Sequence, residues 1–536
     1  MLDDFENGPA GDTDRMAARY WLCVLVVVST TAVAAPLWLG TVPLLSDIGR
    51  AASSADLWAR ADDVAAFGRV VEHRSLFGPG LLSEWVVALL GPICNSLTAL
   101  RIFATLAFTG FVAGLFALAD AFDRSRWIVF PAIPLVWTGA LAWGPIDRLA
   151  LPALFAWGLV CARRTDGDNP RWSVSLAGIG VLTYLAEPTA ALAVGVSTAL
   201  VLAVQSSGIR DLVHLPSAAT GPLLWWLWTP PSGSTDAASS ALRSVLGSPK
   251  HDPNTPLQVV RDLVSLAADV TGAGVDTYLL VAAAVCWFVL LAASDRSELE
   301  TDWFREGDTG ETSRLKRIVE RTLVGLRRRS LAVVAVSLWA MAFLAPRFLG
   351  TTNLHLVLAP LLFPALAWLP NPADDSPLVR LAAGIAVLAT VGLGAHVSRQ
   401  TLDQQRASLA GLEEVVDHLP TGRRVSCIDS ESSDSPRTPS PESVCRTLVH
   451  TRADGWAGVD DSSTSGPVEL RSDAAPPLRS LHASTDDLRR WDAVIARATS
   501  KPRAPETLKL IGSAGGAGED SPRWYLYDVR EPPDEG

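Results

Sequence analysis

The stretch RLKRIVERTLVGLRRRSLAVVAVSLWAMAFLAPRF (residues 314–348) sets seven basic residues directly before an apolar run that opens at position 330. These are Arg314, Lys316, Arg317, Arg321, Arg327, Arg328 and Arg329. An apolar run of about 17–25 residues is long enough to cross a bilayer, and a basic flank marks its cytoplasmic end. The same reading, carried outward in both directions, finds apolar stretches at 18–40, 102–120, 127–143, 147–163, 173–188, 190–205, 212–229, 276–294, 330–348, 352–369 and 377–398. A further stretch, 82–98, is interrupted by Gly91-Pro92 and Asn95.

Composition agrees with a polytopic membrane chain. Of 536 residues, 49 % are hydrophobic and only 19 % charged, against roughly 25 % charged in soluble proteins. This excludes a mainly soluble enzyme, and disorder does not account for the apolar runs. The net charge of −11 is uneven, because residues 401–536 hold 23 acids and 16 bases. No long basic tract with interleaved aromatics occurs, which argues against a nucleic-acid partner. P-loop, GxSxG and HExxH patterns are also missing.

Two further basic groups, Arg124 with Arg126 and Arg163, Arg164 with Arg171, alternate correctly with the 314–329 cluster if all three are cytoplasmic. That arrangement sends the region after 398 to the outer side and requires about 11 crossings from a cytoplasmic N-terminus. One of the twelve apolar stretches then does not cross, and the broken 82–98 segment is expected to be re-entrant or interfacial. The expected architecture is an all-α polytopic membrane bundle with a small extracytoplasmic α/β domain. Residues 1–17 form a cytoplasmic tail and 18–398 the membrane domain. Its outer loops are 41–81 and 230–275, its basic cytoplasmic loop 295–329, and the exported domain is 399–536. The run after Ala18 is too long, and its leading segment too acidic, for a signal peptide.

Within the exported domain, Arg424–Ile428, Val444–His450 and Trp524–Val529 read as strands and 485–498 as helix. Residues 429–441 are low in complexity. Cys427 and Cys445 are the two cysteines of the polar C-terminal region; a disulfide between them is left open, because spacing alone does not determine their separation. Neither a CxxC motif nor a Cys/His cluster occurs, so no metal ligands are assigned.

Candidate chemistry lies in outer-side ionisable residues, since a charge near the bilayer is costly unless it serves a pocket or snorkels. Asp47, with Asp62 and Asp63 later in the same loop, supplies carboxylates that could take the proton of an acceptor hydroxyl. Arg101, Arg148 and Arg347 are candidate phosphate ligands through their planar forks. Asp147, Glu187 and His355 lie in or beside outer turns. Against each stands an ordinary reading: solvating loop acids, and arginines anchoring helix ends. The Trp225, Trp226 and Trp228 group reads as an interfacial aromatic belt.

Taken together, the acid after the first span (Ser46-Asp47), Leu97-Thr-Ala-Leu-Arg101-Ile-Phe and the turn Gly144-Pro-Ile-Asp147-Arg148-Leu-Ala resemble the GT-C superfamily of polytopic glycosyltransferases. Leu419-Pro-Thr-Gly-Arg-Arg-Val and Arg523-Trp-Tyr-Leu-Tyr-Asp-Val are similar to the exported tail of many bacterial members. The resemblance implies transfer of a sugar from a polyprenyl-phosphate donor to an acceptor on the outer face, in an inner or plasma membrane. The lipid bilayer and a polyprenyl-phosphate-linked sugar are then the partners. A divalent metal is compatible with loop acids and phosphate oxygens, though nothing requires one. The chain departs from the superfamily pattern: Asp47 is followed by Ile48 rather than a second acid, and Phe77-Gly-Pro-Gly replaces a His-Pro-Pro-type entry. A non-enzymatic transporter or envelope-assembly scaffold is the alternative.

Overall fold

A computed structural model describes residues 9–206, 213–228, 256–268, 274–294, 330–349, 354–370, 377–429, 440–457, 468–470, 478–515 and 521–529. Within these ranges it omits residues 41, 44, 46, 64–66, 68–70, 75, 79, 143, 166–169, 293, 455, 479 and 482. The basic loop 295–329, most of the outer loop 230–275 and the low-complexity stretch 430–439 lie outside the described residues.

The chain forms a helical bundle that carries a small sheet domain. Helix α1 (Pro9–Trp38) leads to a loop containing α2 (Ile48–Arg60), the short strand β1 (Val71–Arg74) and α3 (Leu82–Leu90). Then come α4 (Ser96–Ala121), α5 (Leu151–Arg164), α6 (Pro170–Ala186), α7 (Pro188–Gln205) and α8 (Thr220–Trp228). The second half holds α9 (Pro256–Ala268), α10 (Val275–Ala292), α11 (Ser330–Leu349), α12 (Leu354–Ala367) and α13 (Pro377–Gln404). Helical structure thus lies over each of the eleven apolar stretches read as spans. Five segments are long and apolar enough to cross a membrane: Tyr20–Trp38, Ser96–Ala121, Pro188–Gln205, Val275–Ala292 and Pro377–Ala407. Three shorter apolar helices, Arg126–Trp137, Ser330–Phe343 and His355–Leu366, accompany them. The protein is a multi-pass membrane protein.

Local chemistry sets where the helices begin. Asn95 caps α4 by accepting the Thr98 N–H at 2.8 Å, satisfying a donor that the first helical turn leaves open. Pro152 and Pro188 stand in the opening turns of α5 and α7, where a missing N–H costs nothing. The 127–143 stretch differs from a simple α-helical span. Arg126–Trp137 winds as a 3₁₀ helix with Pro131 and Pro134 inside it. Two prolines three residues apart remove the donors an α-helical ladder would need, and dense packing of Phe130, Ile133 and Trp137 holds the tighter coil.

The segment 82–98 is interrupted in the structure as in the sequence, by the turn at 91–94. Its helix α3 has nine residues, or about 13–14 Å, less than half the hydrocarbon thickness. Ser83 at its start hydrogen-bonds Asp147 and Ser96 beyond its end bonds Asp56. Both partners belong to one side of the bundle, because the loop 41–81 is joined there to the 144–150 and 185–187 turns. One such joint is the bond from Leu81 N–H to the Leu185 carbonyl, 3.0 Å long.

The sheet domain contains α14 (Leu412–Asp417), β2 (Arg424–Asp429), α15 (Pro441–Ala453), β3 (Trp456–Ala457), β4 (Val468–Leu470), β5 (Ala493–Ala498), β6 (Leu508–Ala514) and β7 (Arg523–Val529). Five strands pair in the order β3-β2-β5-β7-β6; β2 is parallel to β3 and β5, and the other pairings are antiparallel. Two readings from sequence are corrected here. Val444–His450 is part of helix α15, not a strand: Ser440 caps it by accepting the Ser443 N–H, Pro441 opens it, and Val444, Cys445, Leu448 and Val449 line its buried face. The 485–498 stretch is helical only at Thr485–Leu488, after which Ala493–Ala498 forms a wholly buried central strand. Cys427 of β2 and Cys445 of α15 form a disulfide.

The loop 41–81 and this domain are packed as one body. Leu57 and Phe67 enter the same hydrophobic cluster as Ile428, Trp456, Trp491 and Tyr527, and β1 pairs antiparallel with β4. Helix α2 lies so close to α15 that a Cβ on Gly49 would stand 2.9 Å from the Ser443 hydroxyl oxygen and 3.1 Å from its carbonyl. Glycine permits that approach, and Thr447 uses it to donate a 2.7 Å hydrogen bond to the Gly49 carbonyl.

Candidate functional site

Four of the residues singled out from sequence meet at one place. Asp47 precedes α2, Asp147 and Arg148 lie in a 3₁₀ turn (Ile146–Ala150) before α5, and Glu187 stands at the α6–α7 junction. Two residues the sequence reading missed, Arg50 and Glu84, complete the group. Arg50 Nε donates to Asp47 Oδ1 at 2.6 Å. Ser83 links two acids: its N–H donates to Asp147 Oδ1 at 2.6 Å and its hydroxyl to Glu84 Oε2 at 2.9 Å. Arg148 Nε and Nη2 donate to Glu187 Oε2 at 3.1 and 3.0 Å.

Exposure separates the members into two kinds. The Arg148 and Glu187 side chains are 0 % and 7 % exposed, so this pair is a buried brace whose guanidinium is committed to its partner. By contrast, Asp47 is 16 % exposed and Arg50 is 56 % exposed; they form the open rim of the site. Glu84 and Asp147 are buried behind them.

The electrostatics follow from this layering. Burial pushes the Asp147 carboxyl up to about 7, and the charges of Asp47 and Glu187 push the same way against its hydrogen bonds from Ser83. Burial also raises Glu84 well above the carboxylate range, with Asp147 adding to it. The inner acids therefore hold protons readily. Arg50 is stabilised in its charged form by Asp47 first, with Glu84 and Asp147 contributing. The arrangement presents one accessible carboxylate beside one accessible guanidinium, on a floor of acids that favour the neutral form. Such a floor permits an acid at the rim without assembling several full negative charges.

The remaining sequence candidates lie elsewhere. Asp62 and Asp63 are exposed beyond the far end of α2, about 20 Å along the helix from Asp47 at 1.5 Å per residue. Arg101 Nη2 donates to the Gly40 carbonyl at 2.6 Å, tying α4 to the end of the first span. His355 is buried and meets Asp262 Oδ2 at 3.0 Å through Nε2, joining α12 to the amphipathic helix α9. The Arg347 side chain lies outside the described residues. Among the described residues no group of three or more His, Cys, Asp or Glu side chains converges on a point that could hold a metal.

The missed residues carried faint signals. Arg50 stands three residues after Asp47, the spacing of neighbours on a helical face. Glu84 is an ionisable residue in the first turn of an otherwise apolar helix, which by itself suggests a functional position near a membrane.

No family model matches the chain, and no curated protein matches it. Two solved structures are similar to it. The arabinofuranosyltransferase AftD from Mycobacteria aligns at TM-score 0.44 and 14 % identity over 96 % of this chain; the chain spans 40 % of AftD's length. ArnT from Cupriavidus metallidurans, solved bound to undecaprenyl phosphate, aligns at TM-score 0.41 and 11 % identity over 95 % of this chain and 97 % of its own. At these scores the likeness is one of overall outline.

Proposed function

We propose that the protein is a membrane glycosyltransferase moving a sugar from a polyprenyl-phosphate donor to an acceptor hydroxyl at the outer face. The observation that carries this reading is the rim pair, a partly exposed Asp47 carboxylate hydrogen-bonded to an accessible Arg50 above the protonatable acids Glu84 and Asp147. In the reaction the acceptor oxygen bonds to the anomeric carbon as the bond from that carbon to the phosphate oxygen breaks. The acceptor's proton passes to Asp47, and polyprenyl phosphate leaves with the electron pair. Asp47 acts as general base. Arg50 neutralises charge that grows on the leaving phosphate, an interaction worth more at the transition state than in the donor complex.

Arg148 and Glu187 act behind this surface. Their buried pair fixes the 146–150 turn against the α6–α7 junction, and that turn presents Asp147 to Ser83. The test is Asp47→Asn in cells lacking the native copy. Loss of glycan transfer with normal membrane levels is the expected result. Undiminished transfer would remove Asp47 from the chemistry and favour a transporter or scaffold, for which this side chain is dispensable.

A further inference from the structure

Helix α2 has a second polar centre toward its other end. Asp56 is buried there. It accepts a hydrogen bond from the Ser96 hydroxyl and one from Arg60 Nη1 at 3.3 Å. The Arg60 guanidinium also reaches Asp454 Oδ1, at 2.5 Å, in the C-cap of α15. Beside this group opens a cavity of about 360 Å³ lined by Asp56, Arg60, Asn95 and Ser96 on one side and by Val87, Pro92 and Ile93 on another. Ile93, at its lip, is 82 % exposed.

Three features specify what such a cavity takes. Two carboxylates share one guanidinium, so the centre is net negative and unfavourable for a phosphate. Its polar atoms are already oriented by mutual hydrogen bonds, which leaves carboxylate lone pairs and a guanidinium fork as a fixed set of acceptors and donors. A group bearing several adjacent hydroxyls matches that set, because each hydroxyl both donates and accepts. The apolar lip lies in the 82–98 segment, which the sequence reads as re-entrant or interfacial, so the ligand would come from the membrane surface.

The position also fits. Asp56 is nine residues from Asp47, about 14 Å along the helix axis, a span that a short saccharide bridges. We propose that this cavity is a carbohydrate subsite that binds a neutral, hydroxyl-rich sugar unit of the acceptor and leaves the acceptor's reacting end at Asp47. The inference rests on the transferase reading for its purpose but not for its binding chemistry. The sheet domain takes part directly, since Asp454 holds Arg60 in the orientation that faces the cavity.

The test uses the full chain in lipid nanodiscs and saturation-transfer NMR with a panel of methyl glycosides of pentoses and hexoses, in furanose and pyranose forms. At least one glycoside should receive saturation from the unaltered protein and from Asp47→Asn. Its binding should weaken about tenfold in Asp56→Asn, as expected for a lost hydrogen bond to a charged group. Ile93→Trp, at an exposed position that leaves the fold intact, should block the cavity and abolish the signal. No glycoside binding to the unaltered protein, or binding unchanged by Ile93→Trp, would overturn the proposal. The transferase reading fails separately: glycoside binding that persists while Asp47→Asn transfers sugar at the normal rate keeps the subsite and removes the catalytic assignment.

Discussion

The two ends of α2 use the same residue types to opposite effect. Near Asp56 the polar groups bond one another: Ser96 and Arg60 reach the carboxylate, and Asp454 reaches the other side of Arg60. Near Asp47 the balance is left open. Acids gather faster than guanidinium groups, one guanidinium is spent on a buried brace, and the inner acids respond by favouring protonation. A centre that binds a ligand without changing it can hold its groups fixed through bonds to one another. A centre that must move a proton keeps one group exposed and its neighbours poised. On the proposed reading, this is the difference between recognition and chemistry on a single helix.

That contrast can be broken experimentally. The largest effect belongs to Asp47→Asn: sugar transfer by purified protein in proteoliposomes should fall about 100- to 10,000-fold, the usual contribution of a positioned general base, while the thermal midpoint stays within a few degrees. A large fall in the midpoint would mean that Asp47 serves structure. Next is Glu187→Ala, which strands the buried Arg148 guanidinium. Breaking a buried pair by removing one partner costs roughly 3–5 kcal/mol, so the midpoint should drop markedly; an unchanged midpoint would show the brace to be dispensable.

Replacing both Cys427 and Cys445 by Ala should cost about 3 kcal/mol, as expected for a bridge across 18 residues. The loss should be matched by reducing agent acting on the unaltered protein. Because α15 carries the bridge and holds α2 through Thr447, transfer should fall together with stability rather than before it.

A further effect concerns pH. Asp147 titrates near 7 in the folded protein and near 4 when unfolded, so the native state holds the extra proton between those values. Stability should therefore decline as pH rises from about 4 to about 7 and level off above. In Asp147→Asn this portion of the slope should vanish; an unchanged slope would assign it to other groups.

Much of the bundle was legible because a span must be long and apolar whatever it packs against. The break in the 82–98 segment showed as Gly91-Pro92 and Asn95, and the acids and arginines of the turns were visible as charges in costly surroundings. Their pairing was not. Arg148 and Glu187 are 39 residues apart and Asp262 and His355 are 93 apart, distances over which periodicity says nothing. In the sheet domain, Val444–His450 has the β-branched and apolar look of a strand, and only the Ser440-Pro441 start distinguishes the helix. Ala493–Ala498 contains Arg497, which masks a buried strand until Asp429 is seen beside it at 3.3 Å.

The seam between loop and sheet domain has a consequence for biogenesis. Gly49 and Thr447 are 398 positions apart, and β1 pairs with the distant β4. At about 5–20 residues per second of synthesis, α2 waits on the order of 20–80 s for the surface that receives it. During that interval the helices between them are made, and Leu57 and Phe67 lack the sheet-domain side of their cluster. The joint between α2 and α15 therefore closes only late in synthesis, once the chain has been made as far as Thr447.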